Sequence, residues 1–268
     1  MTHYCACDNQ VLCPICSTAN GQYSGQINTF KIYKCPGCGL EHTYPVPSLD
    51  QLKQFYNDYT DIRADSEVVK INAKRNLQLL RSFGYDENKF VLDFGTGDAS
   101  FVGIAGKNCY GIDFKSTRRQ RVFSNLNDLP IKQYDFITLW GVLEHLARPI
   151  ETLLQLRDLL APNGIFAITT VDAEGLIPYY YKPVEHLTYW TKSSFNKLFE
   201  QISMEILEYS PYKMVQRADI YIDRLISRTP SEYKEAFQAT ISKLPQYIEV
   251  PTNEIFVVGN CLTAIQAK

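Results

Sequence analysis

Cysteine is the first residue type here that points to chemistry. Four of the eight cysteines form two C-x-x-C pairs, Cys13/Cys16 in "CPIC" and Cys35/Cys38 in "CPGC", with eighteen residues between the pairs. That is the spacing of a structural zinc site, in which each pair makes a tight knuckle that turns two thiolates toward one tetrahedral ion. Four thiolates complete the coordination, so the predicted Zn2+ holds structure and leaves no position for catalysis. Two disulfides are the alternative, disfavoured in a reducing compartment. His42 lies near enough in sequence to rival one thiolate as a ligand. Cys5 and Cys7 are spare, and Cys109 and Cys261 sit in apolar runs as core thiols.

Acid–imidazole pairs supply a second chemistry. Glu144–His145 stands in "LWGVLEHLARP" and Glu185–His186 in "KPVEHLTYW". Histidine titrates near neutrality and suits a general base. Each pair can equally begin a helix or anchor a loop, and these readings stay open. A third constellation is "VLDFGTGDAS": a strand ends in Asp93, and Gly95 and Gly97 permit a turn that lets backbone approach a ligand. Asp113 ends the next strand, where a carboxylate can accept both hydroxyls of a ribose. A plain structural turn explains the loop alone equally well.

These residues need a scaffold. "FVLDFG" (90–95), "CYGIDF" (109–114), "YDFITLW" (134–140) and "GIFAITTV" (164–171) read as strands. "DASFVGIAG", "PIETLLQLRDLL" (149–160) and "KSSFNKLFEQI" (192–202) read as the helices between and after them. This alternation predicts an α/β fold with a parallel, doubly wound sheet, which "MEILEYS" (204–210) and "EIFVVGNCLTAIQA" (254–267) close as its last strands. Ahead of the sheet, 66–83 carries Val69, Ala73, Leu77 and Leu80 at helical spacing, and Ser48 caps a helix running through Gln51. Residues 211–253 read as a mostly helical, amphipathic insertion, clearest in "MVQRADIYIDRLIS", and an insertion of that length is often a lid.

The 268 residues carry a net charge of −2, with 45% hydrophobic and 21% charged residues, the balance of a soluble globular chain. Without a basic excess, nucleic acid is an unlikely partner, and no apolar run of membrane-spanning length appears. A cytoplasmic setting is the default. The sequence admits a homo-oligomer without specifying one.

"VLDFGTGDAS", "YGIDF", "NLNDLP", "YDFITLWGVLEHL" and "LAPNGIFAITT", in this order, resemble the class I S-adenosylmethionine-dependent methyltransferases over roughly residues 70–210. The resemblance implies a Rossmann-like sheet and S-adenosylmethionine as cofactor. Asp93, Gly95 and Gly97 would then surround its methionine part and Asp113 its ribose, while Asn125 and Leu126 would face the adenine and Trp140 the sulfonium side. Ala99 stands where that family commonly has a third glycine. The cysteine pairs with the following "GLEHTYPVPSLDQLKQFYNDYT" look like the zinc-ribbon head of methyltransferases from sugar and nucleotide-sugar pathways. "VLEHL" and "EHLTYWTKSSF" are similar to the metal-dependent ribose 2′-O-methyltransferases of small RNAs, which implies Glu144, His145 and His186 as ligands of Mg2+ or a similar ion that acidifies the acceptor hydroxyl, with Gly141 standing where those enzymes carry another carboxylate.

The expected organisation is a zinc ribbon over 1–47, a helical linker and cap over 48–85 and a methyltransferase domain over 86–268, with 211–253 as its insertion. The expected function is O- or N-methylation of a small sugar-like acceptor, with Glu144, His145 and His186 as catalytic residues. An RNA methyltransferase and a non-catalytic adenosylmethionine-binding scaffold are the rivals.

Overall fold

The computed structural model describes residues 11–58, 66–114, 119–175, 181–226, 235 and 243–261. Cys5, Cys7, residues 177–180 of the aromatic run 177–190 and the end of the last expected strand lie outside them. Three short strands come first: β1 (Gln22–Ile27), β2 (Phe30–Lys34) and β3 (Glu41–Tyr44), followed by helices α1 (Leu49–Asp58) and α2 (Ser66–Ser82). The main sheet then begins. It is built from β4 (Val91–Phe94), α3 (Ser100–Ala105), β5 (Cys109–Ile112), β6 (Val122–Phe123), β7 (Tyr134–Trp140), α4 (Pro149–Arg157) and β8 (Leu160–Val171). A two-residue β9 (Thr188–Tyr189), α5 (Lys192–Gln201), β10 (Met204–Arg217), α6 (Ala218–Ile226) and β11 (Tyr247–Cys261) complete the chain.

Seven strands form one sheet in the order β10-β11-β8-β7-β4-β5-β6. The five strands from β8 to β6 run parallel, whereas β11 is antiparallel to both β8 and β10. One face packs Ala73, Leu77 and Leu80 of α2 with Phe101 and Val102 of α3 against Val91, Phe136 and Phe256. The other packs Leu153 and Leu156 of α4 with Phe195, Leu198 and Phe199 of α5 against Ile137, Ile168 and Val257. Helices on both faces make the sheet doubly wound, as the alternating pattern requires. Fully burying each such side chain stabilises by roughly 1.5–3 kcal/mol relative to exposure.

The expected insertion needs correcting. Residues 211–217 continue β10 and 247–253 belong to β11, paired from Lys213↔Pro251 to Arg217↔Tyr247, while Ala218–Ile226 and residue 235 are helical and the rest of 227–242 lies outside the described residues. "MVQRADIYIDRLIS" therefore splits at Arg217/Ala218. The apolar residues of "MVQR" meet the helical spacing, but long-range pairing with 247–250 decides the backbone. Likewise α4 stops at Arg157, and Leu160 already starts β8.

A second sheet has the order β1-β2-β3-β9, so the last strand of the cysteine-bearing head pairs with a segment from beyond β8. Cys13, Ile15, Cys35, Cys38 and Leu40 share one apolar cluster with Trp190, Phe195 and Phe199. Head and main sheet thus have a common core.

At the turn into α3, Ala99 has φ 61, the left-handed region that costs a side-chain-bearing residue about 1–2 kcal/mol. Ala99→Gly should therefore raise stability by about 0.5–1 kcal/mol after the glycine entropy cost. Guanidinium unfolding would register this as a higher midpoint at unchanged slope.

Candidate functional site

The four head cysteines meet as expected. Cys13 Sγ lies 3.6 Å from Cys38 Sγ, and Cys16 Sγ lies 3.4 Å from Cys35 Sγ. All four thiols are free and within 4.8 Å of one another, too far apart for S–S bonds and near the roughly 3.8 Å edge of a ZnS4 tetrahedron. The amides of Ile15 and Gly37 donate to Cys13 and Cys35 sulfurs, as thiolate-bearing knuckles require. The Cys13 thiol is drawn down to about 5, chiefly by its hydrogen bond with Cys38. The donor set fits Zn2+. His42 is no part of it: the ring is buried, and the residue pairs with Thr188 in the β3–β9 ladder.

The loop after β4 has the geometry of a ligand cradle. Gly95 and Gly97 take φ 76 and 54, both in the left-handed region. A Cβ on Gly95 would stand 2.5 Å from Val142 Cγ2, so this glycine serves packing. A Cβ on Gly97 would meet nothing within 4 Å, so here the backbone faces open space. The Gly97 amide donates to Asp113 Oδ2 at 2.9 Å, joining the two strand ends. Asp93 stands beneath, buried, with its Oδ1 accepting the Thr138 hydroxyl at 2.7 Å. Burial pushes its carboxyl up to about 7, against the pull of the Thr138 and Thr96 hydroxyls. Asn125 and half-buried Leu126 open a short helical turn beside β6. Trp140 packs edge-on to Phe101 and stacks on Phe256 at 15°, and its buried Nε1 has no hydrogen-bond partner among the described residues.

The two Glu–His pairs come together. Glu144 and His145 lie in a single helical turn after β7, three residues before α4, so they do not begin that helix. His145 Nδ1 lies 2.6 Å from the Glu185 carbonyl, and the Leu187 amide donates to the Glu144 carbonyl at 2.7 Å. The His145 and His186 rings stand edge-to-face with centroids 4.8 Å apart. A carbonyl oxygen only accepts, so Nδ1 of His145 carries a proton, and in the neutral ring Nε2 is the nitrogen left to accept one. That Nε2 is 3.9 Å from Glu144 Oε1, while Oε2 takes the Thr170 hydroxyl at 2.7 Å. Burial, then the nearby His145 and Lys182, push His186 down to about 2, so its imidazole is neutral. Glu144, His145 and His186 each offer a ligand atom, all within 4.8 Å of one another. Gly141 has φ 64, which favours glycine over a carboxylate-bearing residue, and its virtual Cβ is 3.7 Å from Glu144 Oε1.

Two further residues at this edge escaped the sequence reading. Tyr56 of α1 places its hydroxyl 3.0 Å from His145 Nδ1 and its ring against Phe114, spanning from the Asp113 side to the histidines. Glu254 opposes Val171 where β11 crosses the carboxyl edge of β8. Burial and the charge of Glu144 push it up to about 8. An acid heading the last strand was its only signal. Tyr189 and Trp190 are buried core residues, and Tyr181 donates to Glu41 Oε2 at 2.6 Å, so these aromatics build the wall of the site. Arg148 pairs with Glu151 on the surface.

The raised Asp93 carboxyl sets a pH dependence. A folded pKa above the unfolded one contributes stability that is complete below about pH 4 and is lost as pH rises through 7. Asp93→Asn should therefore unfold like the parent at pH 4 and be more stable at pH 8, by on the order of 4 kcal/mol. Urea titrations across that range read the difference directly.

Residues 69–209, more than half of the chain, match the family described as a methyltransferase domain. The chain is similar in structure to 1,6-didemethyltoxoflavin-N1-methyltransferase of Burkholderia thailandensis, solved with 1,6-didemethyltoxoflavin and S-adenosylhomocysteine. Identity is 15%, coverage 90% of this chain and 99% of that one, and the TM-score 0.51. A SAM dependent methyltransferase from Archaeoglobus fulgidus is similar at 18% identity over 72% of this chain and 93% of its own, with a TM-score of 0.48. A search of curated proteins finds no match. The strand order, the glycine loop ending in a carboxylate-held turn and the matched segment agree: the chain belongs to the methyltransferase-domain family and is a methyltransferase enzyme with the class I S-adenosylmethionine-dependent fold.

Proposed function

We propose that this enzyme transfers a methyl group from S-adenosylmethionine to a hydroxyl or amine of a small polar acceptor, of the sugar or nucleotide-linked sugar class. The observation that carries the proposal is the meeting of Glu144, His145 and His186 at the carboxyl edge of the sheet that also holds the Gly97–Asp113 cradle. S-adenosylmethionine, when bound, supplies an electrophilic methyl group on a sulfonium. Asp93, Gly95 and Gly97 would hold its methionine part and Asp113 its ribose, while Asn125 and Leu126 would flank the adenine. Trp140 and Phe256 close the apolar side.

Removing a proton from the acceptor is the work of His145. Its Nδ1 proton is committed to the Glu185 carbonyl, so Nε2 receives the acceptor's proton, and the Glu144 carboxylate stabilises the resulting imidazolium. His186, held neutral by burial, cannot serve as a base near neutral pH and orients the acceptor instead. A second reading has an observation of its own, the three ligand atoms within 4.8 Å with His145 anchored through its far nitrogen. Glu144, His145 and His186 would then hold a divalent cation, which supplies acidity to the acceptor hydroxyl. Two imidazoles suit Mn2+ or Zn2+ better than Mg2+.

The acceptor class follows from the groups beside the histidines. Glu144 and Glu185 stand next to His145 and His186, with Lys182 near His186, an arrangement that offers hydrogen-bond acceptors to hydroxyls. With methyl-labelled S-adenosylmethionine, label should pass to a member of a panel of sugars and nucleotide sugars and not to RNA; label entering RNA alone would overturn the assignment. Asp113→Ala should weaken S-adenosylmethionine in calorimetry by at least about tenfold, one lost bidentate hydrogen-bond acceptor. His145→Ala should keep that affinity and lower turnover by about 10²–10⁴.

A further inference from the structure

We infer that Thr43, on the last strand of the cysteine-bearing head, is a positioning residue for methyl transfer, which makes the head the fourth wall of the acceptor site. This rests on the reading that His186 belongs to that site. Thr43 is 1% exposed. Its hydroxyl donates to the His186 carbonyl at 3.0 Å, and its amide donates to the Leu187 carbonyl at 2.9 Å. Just before it in β3, Glu41 and His42 pair with Tyr189 and Thr188. Glu41 also receives the Tyr181 hydroxyl, so three successive residues of β3 grip the loop on both sides of His186.

From there the hydrogen bonds run on into the site. The Leu187 amide donates to the Glu144 carbonyl, and the Glu185 carbonyl takes the Nδ1 proton of His145. Residues 185–187 are thus stitched to the head on one side and to the turn after β7 on the other. A two-residue strand cannot hold its own conformation, because it fixes backbone entropy for too few bonds. The pairing with β3 gives β9 its strand partner, and the Trp190 bonds to Val171 and Ala173 hold its far end. A buried hydroxyl that loses its acceptor is costly, so the Thr43 bond also fixes the register of the loop. Through it the head controls where the His186 ring stands against Glu144 and His145, and a displacement of about 1 Å at such a place is worth about a hundredfold in rate.

The test uses the full chain in four forms: the parent, Thr43→Val, Thr43→Ser and His186→Asn. The sequence has four histidines, so each imidazole can be assigned in two-bond nitrogen–proton spectra by substitution. Thr43→Val should displace or broaden the His186 cross-peaks, Thr43→Ser should restore them, and S-adenosylmethionine affinity should agree within about twofold across all four. His186 cross-peaks in Thr43→Val that coincide with the parent's overturn the inference. Should Thr43→Val fail to fold, Tyr181→Phe weakens the same seam at Glu41 and must shift His186 in its place; unmoved cross-peaks there count against the inference equally. Titration with Mn2+ tests the underlying reading separately. His186→Asn and Thr43→Val should each weaken Mn2+ by about tenfold. A parent protein that binds no Mn2+ removes the cation reading, while the His186 spectra still decide the role of Thr43.

Discussion

Parallel strands that follow one another through helices must all end on the same side of their sheet, and this constraint determines where the chemistry of this enzyme can lie. β4 and β5 deliver Asp93 and Asp113 to that edge, and β7 and β8 deliver the turns that carry Glu144, His145 and Asp172. β11 runs the other way, so it arrives at the same edge with its early residues and brings Glu254. The location of the site is therefore a property of the backbone, and the side chains specify only what happens there. What the sheet cannot do alone is hold the long connection after β8. That task falls to the bond from the Leu187 amide to the Glu144 carbonyl at 2.7 Å, and to β3 behind it.

Local patterning was enough to read most of the sheet. Tyr134–Trp140 is a strand with the bounds its apolar run implies, and Ser66–Ser82 is a helix stopped by Gly84, as its spacing implies. The misreadings occur where tertiary pairing outweighs local spacing. Met214–Arg217 has apolar residues that suit a helix, yet its backbone groups are taken by 247–250. The inner face of α2 also carries asparagines among its leucines. Asn72 exchanges two hydrogen bonds with Val215, and Asn76 accepts from Tyr212, so polar residues dock this helix onto β10.

The site shows the same division. Glu144, His145, His186 and the four cysteines could be picked out because residue type and position in a loop suffice to nominate them. That the two Glu–His pairs form one cluster could not be read, since forty residues of chain separate them and a shared hydrogen-bond frame unites them. Tyr56 and Glu254 were illegible for a related reason: each is an ordinary residue of its own element, made relevant by where that element ends up. The contacts of the head were not legible either: its apolar residues share a core with Trp190 and Phe195, and its last strand pairs with the segment that follows His186.

Electrostatics joins the two halves of the site. Asp93 and Glu254 both carry raised pKa values, Asp93 through burial with further contributions from Asp113 and Asp98, Glu254 through burial and the charge of Glu144. An edge that holds so many acids in partial burial is unfavourable for the empty protein, because each carboxylate raises the free energy of ionising the next. A positive group entering the edge reverses the sign of that effect. It lowers the neighbouring pKa values, releases protons from the raised acids and gains attraction where repulsion stood. The sulfonium of S-adenosylmethionine carries that charge. The acid-rich edge that makes the resting protein less stable at neutral pH is thus matched in sign to a cationic methyl donor.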